Sequence, residues 1–310
     1  GWLSADKRVR VHPVIAETMR GLPWSDSLCD KEVMRLHKSV IDLYKGTANY
    51  EQMERVANDA KEYADQHPRH FIKAMYLDML GSYYDTLIGG DYIPYNEQET
   101  EPIIKLIDTM DAAIDEMQES SDPDAPKYLS GYYLSLASIL MRCTDEYFDE
   151  AADLINATAD LIENEPKYTE NRCCYCMVSA WYYTLVEPDA EKTRELTEFA
   201  YKIAKKVYPT EIEIIDIIHI PTANCFFYHN DFRSAADKIE EAVEICKGYP
   251  DMIPYIDKEA ELLNILLDIY IEMQDMAKCR ELIAEIDHIN ETYKEQGVCR
   301  EVSPNKRNQL

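Results

Sequence analysis

Glycine is scarce in this chain, at 9 of 310 residues. Tight turns depend on residues that tolerate positive φ, so the shortage argues against a sandwich or barrel rich in hairpins. Tryptophan is scarcer, at 3, although tyrosine reaches 23. Basic residues are few beside the acids, 32 Lys and Arg against 59 Asp and Glu, for a net charge of −27 and a sequence pI near 4.6. Phosphate binding needs a basic stripe and counterion release, so this balance excludes nucleic acid as a partner of the segment. An anionic membrane surface is disfavoured for the same reason. No apolar run approaches the roughly 18 residues that span a bilayer, and no charged-then-apolar signal segment opens the chain. A starting methionine is lacking too, and the residues after Gly1 read as the middle of a domain, so a fragment of a longer protein is expected.

The usual signatures of chemistry are also missing. The nine cysteines are odd in number and spread through apolar stretches, which predicts free thiols in a reducing, cytoplasmic compartment. Cys173, Cys174 and Cys176 form the densest cluster, but a zinc site would need C-x₂-C spacing and a second ligand pair. They read as small residues at helix contacts. Gly89-Gly90 lacks the spacing and the Lys-Ser/Thr end of a phosphate loop. The histidines are scattered, and acidic pairs such as Glu240-Glu241 read as solvated helix faces. No enzyme activity, metal or cofactor is expected.

What is present is helical periodicity. Val33, Leu36, Val40, Ile41 and Tyr44 recur at steps of three and four, as do Met53, Val56, Ala60 and Tyr63, and then Phe71, Met75, Met79 and Tyr83. Pro123, Pro166, Pro209 and Pro250 punctuate the chain at separations of 43, 43 and 41 residues. Proline stops one helix and suits the first turn of the next. Between these prolines lie short polar breaks, Thr144-Asp145-Glu146, Glu187-Pro188-Asp189 and His229-Asn230-Asp231. The pattern predicts helix–turn–helix units. With a pair over 30–67, a unit begun by Pro68 and lengthened around Gly89, Gly90 and Pro94, and a last pair broken at Gln274-Asp275, six hairpins are expected. Pro221 falls inside one first helix, where a kink or restart is predicted. The polar tail 297–310 has the character of a disordered end, and the sequence leaves open whether it fills a groove.

Particular residues resemble tetratricopeptide repeats (TPR). Leu80, Gly81 and Tyr84 match the leucine–glycine–tyrosine part of that family's first helix. The run from Phe226 through Asn230-Asp231 to Ala235, with Ile239 and Ala242 after it, looks like its aromatic, turn and alanine series. Tyr270, Cys279, Ile283 and Ile286 repeat the theme. The period exceeds the roughly 34 residues usual in the family, so longer helices are expected. The resemblance covers residues 30–296 and implies an all-α, right-handed α-α superhelix of TPR-like hairpins. Residues 1–22 differ. Trp2-Leu3 and Val9-Val11 read as arms of a β-hairpin, followed by a helix from His12 or Pro13. Gly1, Trp2, His12, Pro13, Val14 and Ile15 resemble the winged-helix remnant that precedes sensor repeats in NB-ARC-type signalling ATPases of the STAND class.

The TPR register places the concave groove on the first helices. It implies Asp78, Ser82 and Asp85, then Tyr132, Ser135 and Arg142, then Met177 and Trp181, then Asn224, and last Asn264 and Asp268 as partner-binding residues. The asparagines would clamp a peptide backbone, and the aspartates would favour a basic ligand. The aromatic runs at Tyr83-Tyr84, Tyr132-Tyr133, Trp181-Tyr182-Tyr183 and Phe226-Phe227-Tyr228 divide between core packing and groove anchors. The resulting expectation is a protein- or peptide-binding sensor arm of a bacterial signalling ATPase, able to contact that ATPase intramolecularly. A peptide-pheromone receptor of the quorum-sensing type and a plain assembly scaffold are the alternatives.

Overall fold

The computed structural model describes residues 26–45, 49–88, 97–143, 145–303, 306 and 307. The hairpin and winged-helix remnant expected over 1–22 lie outside the described residues, as does the loop around Gly89, Gly90 and Pro94. All regular structure among the described residues is helical. The chain divides into two compact units, 1–125 and 126–310.

The first unit holds α1 (Asp26–Lys45), α2 (Tyr50–Gln66), α3 (His70–Ile88) and α4 (Glu97–Gln118). Consecutive helices pack on each other, and α1 also packs on α3. In α2 the buried positions are Met53, Ala57, Ala60 and Ala64, one step round from the stripe read in the sequence. Alanines there let α1 and α3 approach closely. The stripe expected in α1 is rotated as well: Met34 and Ile41 are buried and Leu36 is exposed. Charge pairing decides that rotation, because Asp30 and Lys31 point inward. Lys31 donates to Asp122 at 2.5 Å and to Asp124 at 2.7 Å, with its ammonium over the Phe71 ring. Burial pulls the Lys31 pKa down, but the two carboxylates outweigh that effect and leave it above the ordinary lysine value. Asp30 accepts from the Tyr63 hydroxyl at 2.5 Å and pairs with Arg69.

The second unit holds α5 (Ala125–Leu140), α6 (Phe148–Ile162), α7 (Glu170–Leu185), α8 (Ala190–Val207), α9 (Glu211–Ile214), α10 (Ile220–Tyr228), α11 (Phe232–Lys247), α12 (Ile253–Glu272) and α13 (Met276–Tyr293). Local chemistry sets most of the boundaries. Thr169, Asp189, Asp231 and Asp275 each accept a backbone N–H three residues on, and Thr210 with Glu213 forms a reciprocal capping box. Arg172 reaches back from α7 and donates to the carbonyls of Ile162, Glu163, Glu165 and Pro166, which closes the end of α6. The restart at Pro221 takes the form of a π turn over Ile215–His219 that joins α9 to α10. Proline offers no N–H and crowds the carbonyl four residues back. The wider turn accommodates this, with the Ile220 N–H bonded to Ile215 O, five residues earlier.

Two turns are the same structure. Asn230 and Gln274 both take positive φ, 61° and 58°, and each precedes an aspartate cap. The N–H of Asp231 bonds to Phe226 O at 2.9 Å, and that of Asp275 to Tyr270 O at 3.0 Å. Identical closures at two sites are the mark of a repeated helical pair. Alanines fill the contacts that follow: Ala235, Ala236 and Ala242 on α11, and Ala200 and Ala204 on α8, are fully buried.

Gly81 marks a close helix contact in the first unit. A Cβ there would lie 2.7 Å from Met110 Sδ on α4. Gly81→Val is expected to cost about 1–3 kcal/mol by overpacking, with part restored by Met110→Ala in the same chain, as read by thermal and urea unfolding.

Candidate functional site

First helices touch in two places: α1 lies against α3, and α7 against α10. On the second of these walls the Trp181 ring meets Tyr228 edge-on at 5.8 Å between centroids. Trp181 and Asn224 are half-buried and Tyr228 is exposed. These three form a partly open face. Met177 instead lies in the core with Cys173, Cys176, Ala200 and Ile203. Tyr132 is buried too, while Ser135 is exposed and Arg142 donates to the Ser138 carbonyl at 3.0 Å. In the first unit Asp78 is paired with Lys38 of α1, Ser82 donates to the Asp78 carbonyl at 3.1 Å, and Asp85 is half-buried.

The densest polar constellation is on the last pair. Asp257, Glu261, Asn264 and Asp268 follow one another along α12 at steps of four, three and four, so they share one face. Residues 297–303, 306 and 307 lie against this face. Gly297 has φ of 90° and turns the chain back after α13, a conformation that glycine takes without strain. The Asn290 side chain then accepts the Arg300 N–H at 2.8 Å and donates to its carbonyl at 3.1 Å. Asn264 donates to the same carbonyl at 3.3 Å. The Arg300 guanidinium forks onto Asp257 at 3.0 and 2.7 Å and lies 3.3 Å from Glu261. Lys306 pairs with Asp268 at 2.6 Å, and Arg307 with Asp287. Val298 and Val302 are buried in the core of α10–α13. The described part of the segment read as a polar, disordered end is thus docked.

Sequence reasoning reached Asn264 and Asp268 but missed Asp257, Glu261, Asp287 and Asn290. The first two continue the α12 ladder and were open to the same spacing argument. Asn290 is on a second helix, where the TPR register looks for packing residues and gives no signal.

Two cavities stand apart from this face. One of about 310 Å³ is lined by Tyr175, Tyr182, Tyr183, Glu187 and Lys192, with the partnerless buried hydroxyl of Ser179 at its wall. Another of about 180 Å³ is lined by Tyr201, His219, Thr222 and Lys238, where His219 Nε2 and Thr222 Oγ1 have no protein partner. His219 Nδ1 donates to the Lys238 carbonyl at 3.3 Å, so Nε2 carries the lone pair. Waters account for polar atoms of this kind in cavities of these sizes. The thiols are quiet: burial pushes Cys173 and Cys246 up to about 12 and Cys143, Cys176 and Cys225 up to about 11. Among the described residues no three His, Cys, Asp or Glu side chains converge as metal ligands, and no helix is long and apolar enough to cross a membrane.

No protein-family model matches the chain, and no curated protein matches it in sequence. Its fold is similar to a solved structure, that of BtubC (BKLC) from P. vanneervenii. The TM-score is 0.55 at 16% identity, over 82% of this chain and 93% of that one. A likeness at this identity concerns the fold alone. The chain has an all-α, helical-repeat-like fold.

Desolvation lowers the pKa of His219 below 6.5, although Glu241 and the Lys238 carbonyl oppose the shift. The unfolded chain takes up this proton near pH 6.5 and the folded chain only at lower pH. Stability is therefore expected to fall as pH drops below about 6.5, before the carboxylates titrate. Tm measured from pH 7.5 to 5 should show this slope, and His219→Gln should flatten it.

Proposed function

We propose that this chain is a protein- or peptide-binding scaffold whose helix pairs stack as a right-handed superhelix of TPR type. The clamp on Arg300 carries this reading. A side-chain amide that holds both the N–H and the carbonyl of one residue recognises extended backbone irrespective of sequence, and neighbouring pockets and charges then select side chains. The partly open face of Trp181, Asn224 and Tyr228 supplies a second place where an aromatic anchor and an amide lie together. The excess of acid favours a basic partner.

In this reading the chain is the sensor arm of a cytoplasmic NB-ARC-type signalling ATPase. A ligand that binds one arrangement of the arm better than another shifts the attached ATPase between its states by that difference in affinity. No residue here hydrolyses nucleotide, and robust ATPase activity in the purified chain would count against the assignment. The clamp also favours the rival peptide-pheromone receptor, which a DNA-binding domain upstream in the gene would support.

Titration of the purified chain against arrayed peptides of graded charge tests the binding function. Basic peptides are expected to bind with affinity that falls as salt rises. The double variant Trp181→Ala/Asn224→Ala should weaken the peptides held on that face about tenfold with an unchanged Tm. Absence of charge preference, or binding indifferent to both salt and the double variant, would sink the reading.

A further inference from the structure

We propose that residues 298–303, with Lys306 and Arg307, are an intramolecular ligand of the α12–α13 face. That face would accept from other proteins an extended basic segment whose arginine is flanked, two residues to each side, by valine-sized apolar residues. The inference rests on the peptide-binding function proposed above and names one site and its specificity.

The contacts are those by which a peptide is read. Val298 and Val302 are buried, and the exposed Arg300 between them still reaches Asp257 on α12, so alternate residues meet the helices as along an extended strand. The backbone between the two valines is held by Asn290 through both of its polar groups, as a neighbouring strand would hold it. Asp257 takes the guanidinium with two parallel bonds, a geometry that lysine cannot reproduce. Lys306 and Arg307 add charge pairs on Asp268 and Asp287. Every acid named on the face meets a cation of the segment, so the occupant it selects is basic. The segment is itself unlike the rest of this acidic chain, because its described charged residues are Arg300, Lys306 and Arg307 against Glu301.

The anchors also fix how firmly it sits. Exposed ion pairs contribute little, whereas each buried valine contributes severalfold more. The two valines hold the segment, and the charges and the amide clamp select it. Joined to α13 by the short turn through Gly297, the segment competes at an effective concentration in the millimolar range. An incoming peptide therefore meets an occupied site and binds more weakly than it would to the bare face.

The test uses the full chain and a labelled synthetic peptide of residues 297–310, read by fluorescence anisotropy. Arg300→Ala in the chain, which weakens the resident segment and spares the face, should bind the peptide about tenfold more tightly than the unmodified chain. Adding Asp257→Ala should remove that gain, and a scrambled peptide should bind about tenfold more weakly than the native sequence. A folded Arg300→Ala chain that binds no peptide would overturn the proposal and make the segment a fixed cap of the last pair. Hydrogen exchange on the unmodified chain gives a second reading that needs no variant. Amides of 298–303 should exchange at least about tenfold faster than those of α12 if the segment undocks alone, and exchange in step with α12 would overturn it. If the peptide fails here while arrayed peptides still bind through Trp181 and Asn224, this inference falls and the general binding function stands.

Discussion

A hairpin of two amphipathic helices cannot bury its own apolar surface, and that constraint governs the whole chain. Each helix has to find a further partner beyond its own pair. In a repeat array that partner is the next pair, so every internal pair is covered on both sides. Within each unit the described contacts follow this logic, with packing between most neighbours in sequence and between first helices, α1 on α3 and α7 on α10. Alanines at the contacts set the spacing, and the paired turns at Asn230-Asp231 and Gln274-Asp275 close with the same backbone hydrogen bond.

The same constraint explains why residues 297–303, 306 and 307 are docked. The α12–α13 pair presents an apolar seam that no later pair covers among the described residues, and Val298 and Val302 fill it. Helix–helix packing would have sealed the seam with a broad apolar face. An irregular segment seals it with two side chains and leaves the rest to hydrogen bonds and charge. Such a contact is held by a few anchors, which can be exchanged one strand for another without disturbing the helices beneath.

The helices and the turns at Asn230-Asp231 and Gln274-Asp275 were legible because they rest on local signals: proline spacing, short polar breaks and three-four periodicity. The rotation of α1 was not, since it follows from Asp30 and Lys31 pairing with residues far along the chain, Arg69, Asp122 and Asp124 among them. Periodicity counts apolar residues and cannot see a buried ion pair. The site shows the same division. Asn264 and Asp268 follow from first-helix register, while Met177 and Tyr132 share that register yet are buried, because the groove and the core meet on adjacent faces of one helix. Asn290 depends on where an irregular segment comes to rest, which spacing within a helix does not encode.

The charge balance joins these strands of argument. A chain of net charge −27 repels acidic partners and attracts basic ones at a distance, but long-range attraction does not choose among them. Choice requires a short-range geometry, and the α12–α13 face has one: a fork for a guanidinium, an amide for a peptide unit and seats for two small apolar residues. An open face of that kind in a strongly acidic protein would bind cationic segments indiscriminately. A resident segment that meets all of these requirements raises the threshold, since a competitor has to match the anchors as well as the charge. On the function proposed above, self-occupancy converts a general electrostatic attraction into selection for one pattern.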